Sequence, residues 1–192
     1  MKFHKIEGNK TLYVVFHGTG GNEFDLIPLT QEIDTSASIL SLRGEVEEQG
    51  MLRFFRRTAM NVFDIKNVKE EGEKIYNFLQ DKIKEYERVI FLGYSNGANM
   101  IGALIQLYPH FISHAVLLHP MKVLDTKLST KANIIITLGE GDTMIPAAET
   151  RKFISYLKES GATVHELIYQ GGHGITHDEI IDVRKTIQKE FY

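Results

Sequence analysis

A serine set between two glycines, Gly93-Tyr94-Ser95-Asn96-Gly97, is the stretch of this chain best suited to covalent chemistry. A serine hydroxyl is a poor nucleophile at neutral pH. It needs a base to take its proton, and the base needs an acid to orient it. Two later loops carry those groups: Asp142 in Gly139-Glu140-Gly141-Asp142, and His173 in Gly171-Gly172-His173-Gly174. The three together read as catalytic residues for acyl transfer, in the chain order Ser, Asp, His. Glu140 is an alternative acid. His17 and His119 also follow apolar runs, but both precede Asp142 in the chain. His177 lies four residues beyond His173, a spacing that suits a metal pair on a helix, yet the glycines around His173 argue against a helix there. No metal and no cofactor is therefore expected. The competing reading of the serine turn is a phosphate cradle at a helix N-terminus.

Acyl transfer also develops a negative oxygen, which preorganised backbone N–H groups stabilise. One donor is expected from Asn96, directly after the nucleophile. The other is expected from the glycine-rich loop His17-Gly18-Thr19-Gly20-Gly21, with Thr19 as the chosen residue. That loop also admits reading as a plain βα turn or a nucleotide loop, although its spacing is not Gly-x-Gly-x-x-Gly.

These groups require elements that bring them to one place. The serine turn follows an apolar run from Val89 to Leu92 and precedes a small-residue helical run from Gly97 to Tyr108, stopped by Pro109. Further strands are expected over Thr11 to Phe16, Ala37 to Leu42, His114 to Leu118, Asn133 to Leu138 and Thr163 to Tyr169. Helices are expected over Asp25 to Ile33, Asn67 to Glu87, Ala147 to Ser160, and from Thr176 onward with Glu179 completing a capping box. Alternating strands and helices, with several strands uniformly apolar, predict an α/β protein: a mostly parallel sheet with helices on both faces. In such a sheet the loops at the strand C-terminal ends share one edge, where ligands bind. Asp142 and His173 are both predicted there.

The stretch Glu45 to Asp64 reads as irregular, and a loop of that length is usually functional. Arg43, Arg53, Arg56 and Arg57 there suit an acidic substrate group, and Phe54 and Phe55 suit an apolar pocket wall. A solvated arginine face pinned by two phenylalanines accounts for the same residues equally well. Met144 and Ile145, just past Asp142, are further candidates for substrate contact.

Composition narrows the classes. The chain has 192 residues, which suggests one domain over 1–192. Its net charge of −3 gives no nucleic-acid footprint. The absence of cysteine excludes disulfides, thiolate metal sites and a cysteine nucleophile. No apolar run reaches the ~18 residues of a membrane span. With no leader-like N-terminus, a cytoplasmic protein is the expectation.

At this point the chain resembles the small, lidless α/β-hydrolases of the phospholipase/carboxylesterase group, over nearly its whole length. The resemblance is carried by His17-Gly18-Thr19-Gly20-Gly21-Asn22-Glu23 with Asp25-Leu26, by Arg43-Gly44 and Arg53-Phe54-Phe55-Arg56-Arg57, and by Gly93-Tyr94-Ser95-Asn96-Gly97-Ala98-Asn99. His119-Pro120-Met121, Gly139-Glu140-Gly141-Asp142 and Gly172-His173 extend it. The Arg-Phe-Phe-Arg-Arg element is similar to that of bacterial members described as carboxylesterases or hydroquinone-responsive hydrolases. The resemblance implies an α/β-hydrolase fold, Ser95, Asp142 and His173 as the triad, and Thr19 and Asn96 as oxyanion donors. It departs from acyl-protein thioesterases, whose elbow usually reads Gly-x-Ser-x-Gly-Gly; here Ala98 follows Gly97, so their lipidated-protein substrates do not carry over.

The expected activity is a serine carboxylesterase acting on small-molecule esters without a large cap domain. A thioesterase, a lactone-type hydrolase of aromatic-compound detoxification and a non-catalytic small-ligand binder are the alternatives. A homodimer is common for such folds.

Overall fold

A computed structural model describes residues 1–192. Its centre is a seven-stranded sheet. In chain order its strands are β1 (Phe3–Ile6), β2 (Thr11–Phe16), β3 (Ser38–Leu42), β8 (Arg88–Tyr94), β9 (His114–Leu118), β10 (Asn133–Gly139) and β11 (Thr163–Tyr169); β4 (Val46–Glu48), β5 (Met51–Arg53), β6 (Arg57–Ala59) and β7 (Val62–Phe63) form two small hairpins outside it. The order across the sheet is β1-β3-β2-β8-β9-β10-β11. Every neighbouring pair is parallel except β1 with β3. The elbow strand β8 sits in the middle, flanked by β2 and β9, so it is covered on both edges as well as both faces. That explains its unbroken apolar sequence.

Alternate residues of the strands feed two cores. Leu12, Val14 and Phe16 of β2 point to one face, where α2 (Ile65–Leu79), α3 (Asn96–Leu107) and α4 (Ala147–Glu159) cover the sheet. Tyr13 and Val15 point to the other, under α1 (Ile27–Ile33) and α5 (His177–Glu190). Helices α2 and α5 begin with the signals their sequences carry: Asp64 accepts the Asn67 N–H, and Thr176 with Glu179 closes a capping box. No helix is long and apolar enough to cross a membrane.

Two expectations change, and one strand appears that the sequence reading did not include. The amphipathic pattern that runs on to Ile83 predicts a helix to Glu87, but α2 ends at Leu79 and a 3-10 turn follows over Lys82–Glu85. Ile83 still packs against the core, which is why the spacing continues. The chain has to turn there, because Glu87 and Arg88 donate to the Lys10 carbonyl as β8 enters the sheet beside β2. The segment 45–64 is not irregular. It forms two hairpins, β4 (Val46–Glu48) with β5 (Met51–Arg53), and β6 (Arg57–Ala59) with β7 (Val62–Phe63). The first turns on Gln49 and Gly50, both at positive φ, and the second carries Asn61 at φ 57°; asparagine and glycine tolerate that region best. Finally, β1 is too short and too polar to stand out in sequence. It is a half-exposed antiparallel edge strand carrying Lys5, a composition that discourages further pairing at the sheet edge.

Candidate active site

Ser95 occupies the junction of β8 and α3 with φ 52° and ψ −114°. A non-glycine residue held at positive φ costs about 1–3 kcal/mol, and such strain persists only where the surroundings over-determine it. Here they do. The Ser95 N–H donates to the Leu118 carbonyl at 2.9 Å, and the Asn99 N–H donates to the Ser95 carbonyl at 2.9 Å. Gly93 and Gly97 permit the turn: a Cβ on Gly97 would run into the Phe16 and His17 carbonyls, and one on Gly93 would lie 2.7 Å from the Ala98 nitrogen. The elbow is therefore wedged against β2, and this brings the loop after β2 beside the nucleophile.

His173 arrives on the loop after β11 and Asp142 on the loop after β10. His173 Nε2 lies 2.9 Å from Ser95 Oγ, and its Nδ1 lies 2.6 Å from Asp142 Oδ2. Asp142 Oδ1 accepts the N–H groups of Met144 and Ile145, both at 2.8 Å. Burial pushes the Asp142 carboxyl up, but the Ile145 N–H, His173 and the Met144 N–H outweigh it and hold the group below the usual carboxylate range. An ionised Asp142 selects the Nδ1–H tautomer of His173. That leaves the Nε2 lone pair facing the serine hydroxyl, the arrangement a general base requires. Glu140, the alternative acid, pairs instead with Arg151 at the surface.

Two supports were not legible in the sequence. Tyr94 Oη donates to the His173 carbonyl at 2.9 Å, so the residue before the nucleophile anchors the loop that carries the base. Behind Asp142 lies His119, at φ 52° and 2% exposed. Its Nδ1 is 3.5 Å from Asp142 Oδ2 and its Nε2 is 3.3 Å from Glu179. His119, Asp142 and His173 are close enough together to resemble a metal-ligand set. Asp142, though, already accepts from His173, Met144 and Ile145, and His173 Nε2 faces Ser95, so these atoms are engaged in the triad.

The cleft above Ser95 is small, with a cavity volume of about 40 Å³, and opens to solvent. Thr19, Ser95, Asn96, Asn99 and His173 form its floor. Arg53, Arg57, Met60, Asn61 and Phe63 form one wall, from the two hairpins, and Met144 and Ile145 form the other. Asn61 Nδ2 donates to the Met144 carbonyl at 3.0 Å and so links the two walls.

Several residues expected at the substrate are elsewhere. Phe54 and Phe55 are 2% and 0% exposed and belong to the core, with Phe54 packed on Phe16 and His17. Their size and apolarity suit a pocket wall, but the bend between the two hairpins turns both rings inward. The Phe54 backbone does have a part near the site: its N–H donates to Asn96 Oδ1 at 2.7 Å. Arg43 is paired with Glu23, its Nη2 at 2.7 Å from Oε1, and does not line the cleft. His17 is a structural tie, its Nε2 accepting the Gly44 N–H at 2.9 Å and its Nδ1 donating to the Gly18 carbonyl at 2.7 Å. Of the other arginines expected to meet an acidic group, Arg53 and Arg57 line the cleft, while Arg56 pairs with Asp64 outside it. Met60, Asn61, Phe63 and Asn99 line the cleft without an expectation from the sequence.

Residues 55–191 match the family model described as Phospholipase/Carboxylesterase. The chain is 35% identical over 179 residues to MhqD of Bacillus subtilis (strain 168), covering 90% of each chain. Its fold is similar to the crystal structure of the Bacillus cereus carboxylesterase, with a TM-score of 0.93 and 34% identity over 98% of this chain and 94% of that one. A carboxylesterase from Mesorhizobium loti aligns with a TM-score of 0.88 and 28% identity, covering 94% and 89% of the respective chains.

Proposed function

The chain belongs to the phospholipase/carboxylesterase family of α/β-hydrolases, and from that premise we propose that it cleaves small carboxylic esters through an acyl-enzyme on Ser95. It is a serine hydrolase with a Ser–His–Asp site. The observation that carries the reading is the unbroken chain from Ser95 Oγ through both nitrogens of His173 to a buried, ionised Asp142.

In the first half-reaction His173 Nε2 takes the Ser95 proton as Oγ attacks the ester carbonyl. The imidazolium that forms is stabilised by Asp142. The negative oxygen of the tetrahedral intermediate is met by the backbone N–H groups of Asn96 and Thr19. In support, Asn96 is the first residue of α3, so its N–H has no partner within the helix, and Thr19 lies on the cleft floor beside it. Each such donor contributes about 3–4 kcal/mol to the transition state. His173 then returns the proton to the departing alcohol. A water deprotonated by His173 repeats the sequence on the acyl-enzyme and frees the acid. The hairpin wall and the Met144–Ile145 wall leave a small open cleft, which favours compact substrates over long acyl chains.

A series of p-nitrophenyl esters of increasing acyl length tests this on the wild type and Ser95→Ala. The wild type hydrolyses the short esters and its kcat/KM declines as the chain lengthens, while Ser95→Ala loses the activity. Equal hydrolysis by both proteins rules out Ser95 as the nucleophile.

A further inference from the structure

The arginines around the hairpins are not equivalent. Arg43 is matched by Glu23, Arg53 by Glu48 at 3.2 Å, and Arg56 by Asp64 at 3.2 Å. Arg57 has no carboxylate partner. Its Nη1 reaches only the Met60 sulfur, at 3.9 Å. The one acid close by, Glu48, accepts the Arg57 backbone N–H at 3.3 Å and pairs its charge with Arg53. Arg57 is also half-buried and lines the cleft that holds Ser95. Burial above all, and then repulsion from the nearby Arg57, lowers the Arg53 pKa. A guanidinium is always charged and carries five donors in a planar fork suited to a carboxylate.

A second donor beside the cleft also lacks an acceptor. Asn96 is 3% exposed and also lines the cleft. Because the Phe54 N–H requires an acceptor, the atom it meets is the amide oxygen, and this fixes the orientation of the side chain. The amide nitrogen, Nδ2, is then left buried with no acceptor from the protein. A buried unsatisfied donor costs about 1–3 kcal/mol and calls for an explanation. No acidic side chain lines the cleft; Glu48 is paired with Arg53, and Asp142 lies behind His173 and is already engaged.

We propose that the cleft is built for anionic esters, in which a carboxylate on the acyl or the alcohol portion is bound by Arg57, with the unpaired Asn96 amide adding to the cleft's surplus of donors over acceptors. This rests on the esterase reading above and names the substrate class within it. Binding a carboxylate would provide Arg57 with the counter-ion the protein does not supply, while the protein as a whole, at net charge −3, would otherwise repel an anion.

The experiment compares matched esters that differ in one charge: mono-p-nitrophenyl adipate against p-nitrophenyl hexanoate, and 4-acetoxybenzoate against 4-acetoxybenzamide. The first pair places the carboxylate on the acyl side and the second on the alcohol side. In at least one pair the anionic ester is expected to have a kcat/KM about 10-fold or more above its neutral partner, the size of a charge-assisted hydrogen bond. Arg57→Gln collapses that ratio and Arg57→Lys restores part of it; added salt lowers it in the wild type. Neutral esters preferred in both pairs, or a ratio unmoved by Arg57→Gln, overturns the proposal. Failure to hydrolyse any of the four esters would count against the esterase reading itself.

Discussion

Replacing Glu179 separates the scaffold behind the triad from the triad itself. Its carboxylate closes the α5 capping box, accepting the Thr176 N–H at 3.4 Å, and faces His119 Nε2 at 3.3 Å. Both side chains are within 2% of full burial. Glu179→Ala removes both interactions. Loss of half the cap costs about 1 kcal/mol. A buried histidine nitrogen left without its partner costs about 1–3 kcal/mol more. The sum is a destabilisation of about 2–4 kcal/mol. Glu179→Gln has the same length, keeps an oxygen for the cap, and presents an amide that can either donate to His119 or accept from it. Its expected cost is about 1 kcal/mol or less. The chain has no tryptophan, so urea unfolding is followed by far-UV circular dichroism, with the shift in midpoint converted through the m-value. Because His119 Nδ1 lies 3.5 Å from Asp142, the alanine variant should also lose kcat as the acid loosens. An alanine variant within 0.5 kcal/mol of wild type, the scale of ordinary surface substitutions, would refute this reasoning. So would a glutamine variant as unstable as the alanine one.

Further outcomes follow from the same geometry. Gly97→Ala puts a methyl against the Phe16 and His17 carbonyls, so it should cost about 3 kcal/mol or more, above the usual range of overpacking because the neighbours are backbone, and abolish activity; circular dichroism melts and ester assays read the two effects. Asp142→Asn should retain the fold but leave His173 in the wrong tautomer, lowering kcat by about 10³–10⁴, measured by steady-state kinetics. Burial above all holds the His17 pKa below its ordinary value, partly offset by the Gly18 carbonyl and by Asp25 and Glu23. Since the unfolded chain then takes up the proton first, this contribution to stability is complete above pH ~6.5 and is lost as pH falls below it. Burial of His114 acts in the same direction. Urea midpoints should therefore fall between pH 7.5 and 5.5, and a rise on acidification would contradict the assignment.

The catalytic trio was legible because each member stands directly after an apolar strand, and a parallel sheet brings all such ends to one edge. What the sequence concealed depends on side-chain direction. Phe54 and Phe55 have the composition of a pocket wall, and only the tertiary fold shows both rings, in the bend between the two hairpins, turned into the core. Arg43 and Arg57 look alike in the sequence. Glu23, twenty residues before Arg43, neutralises one, and nothing neutralises the other. Asn61 carried a local signal, since asparagine is favoured at positive φ in a tight turn, but the link to Met144 joins residues 83 positions apart. His119 appeared as a strand-end histidine in the wrong chain order for the base. Its place behind Asp142, against Glu179 from the last helix, is a tertiary arrangement that no local pattern encodes.

The central claim is that Ser95 is an activated nucleophile. Mass spectrometry of the folded protein after treatment with a fluorophosphonate tests it most directly. One adduct is predicted, located on Ser95 by peptide mapping and absent from Ser95→Ala, with labelling slowed in Asp142→Asn. A folded wild-type protein that takes no label, or an adduct that persists in Ser95→Ala, would contradict it.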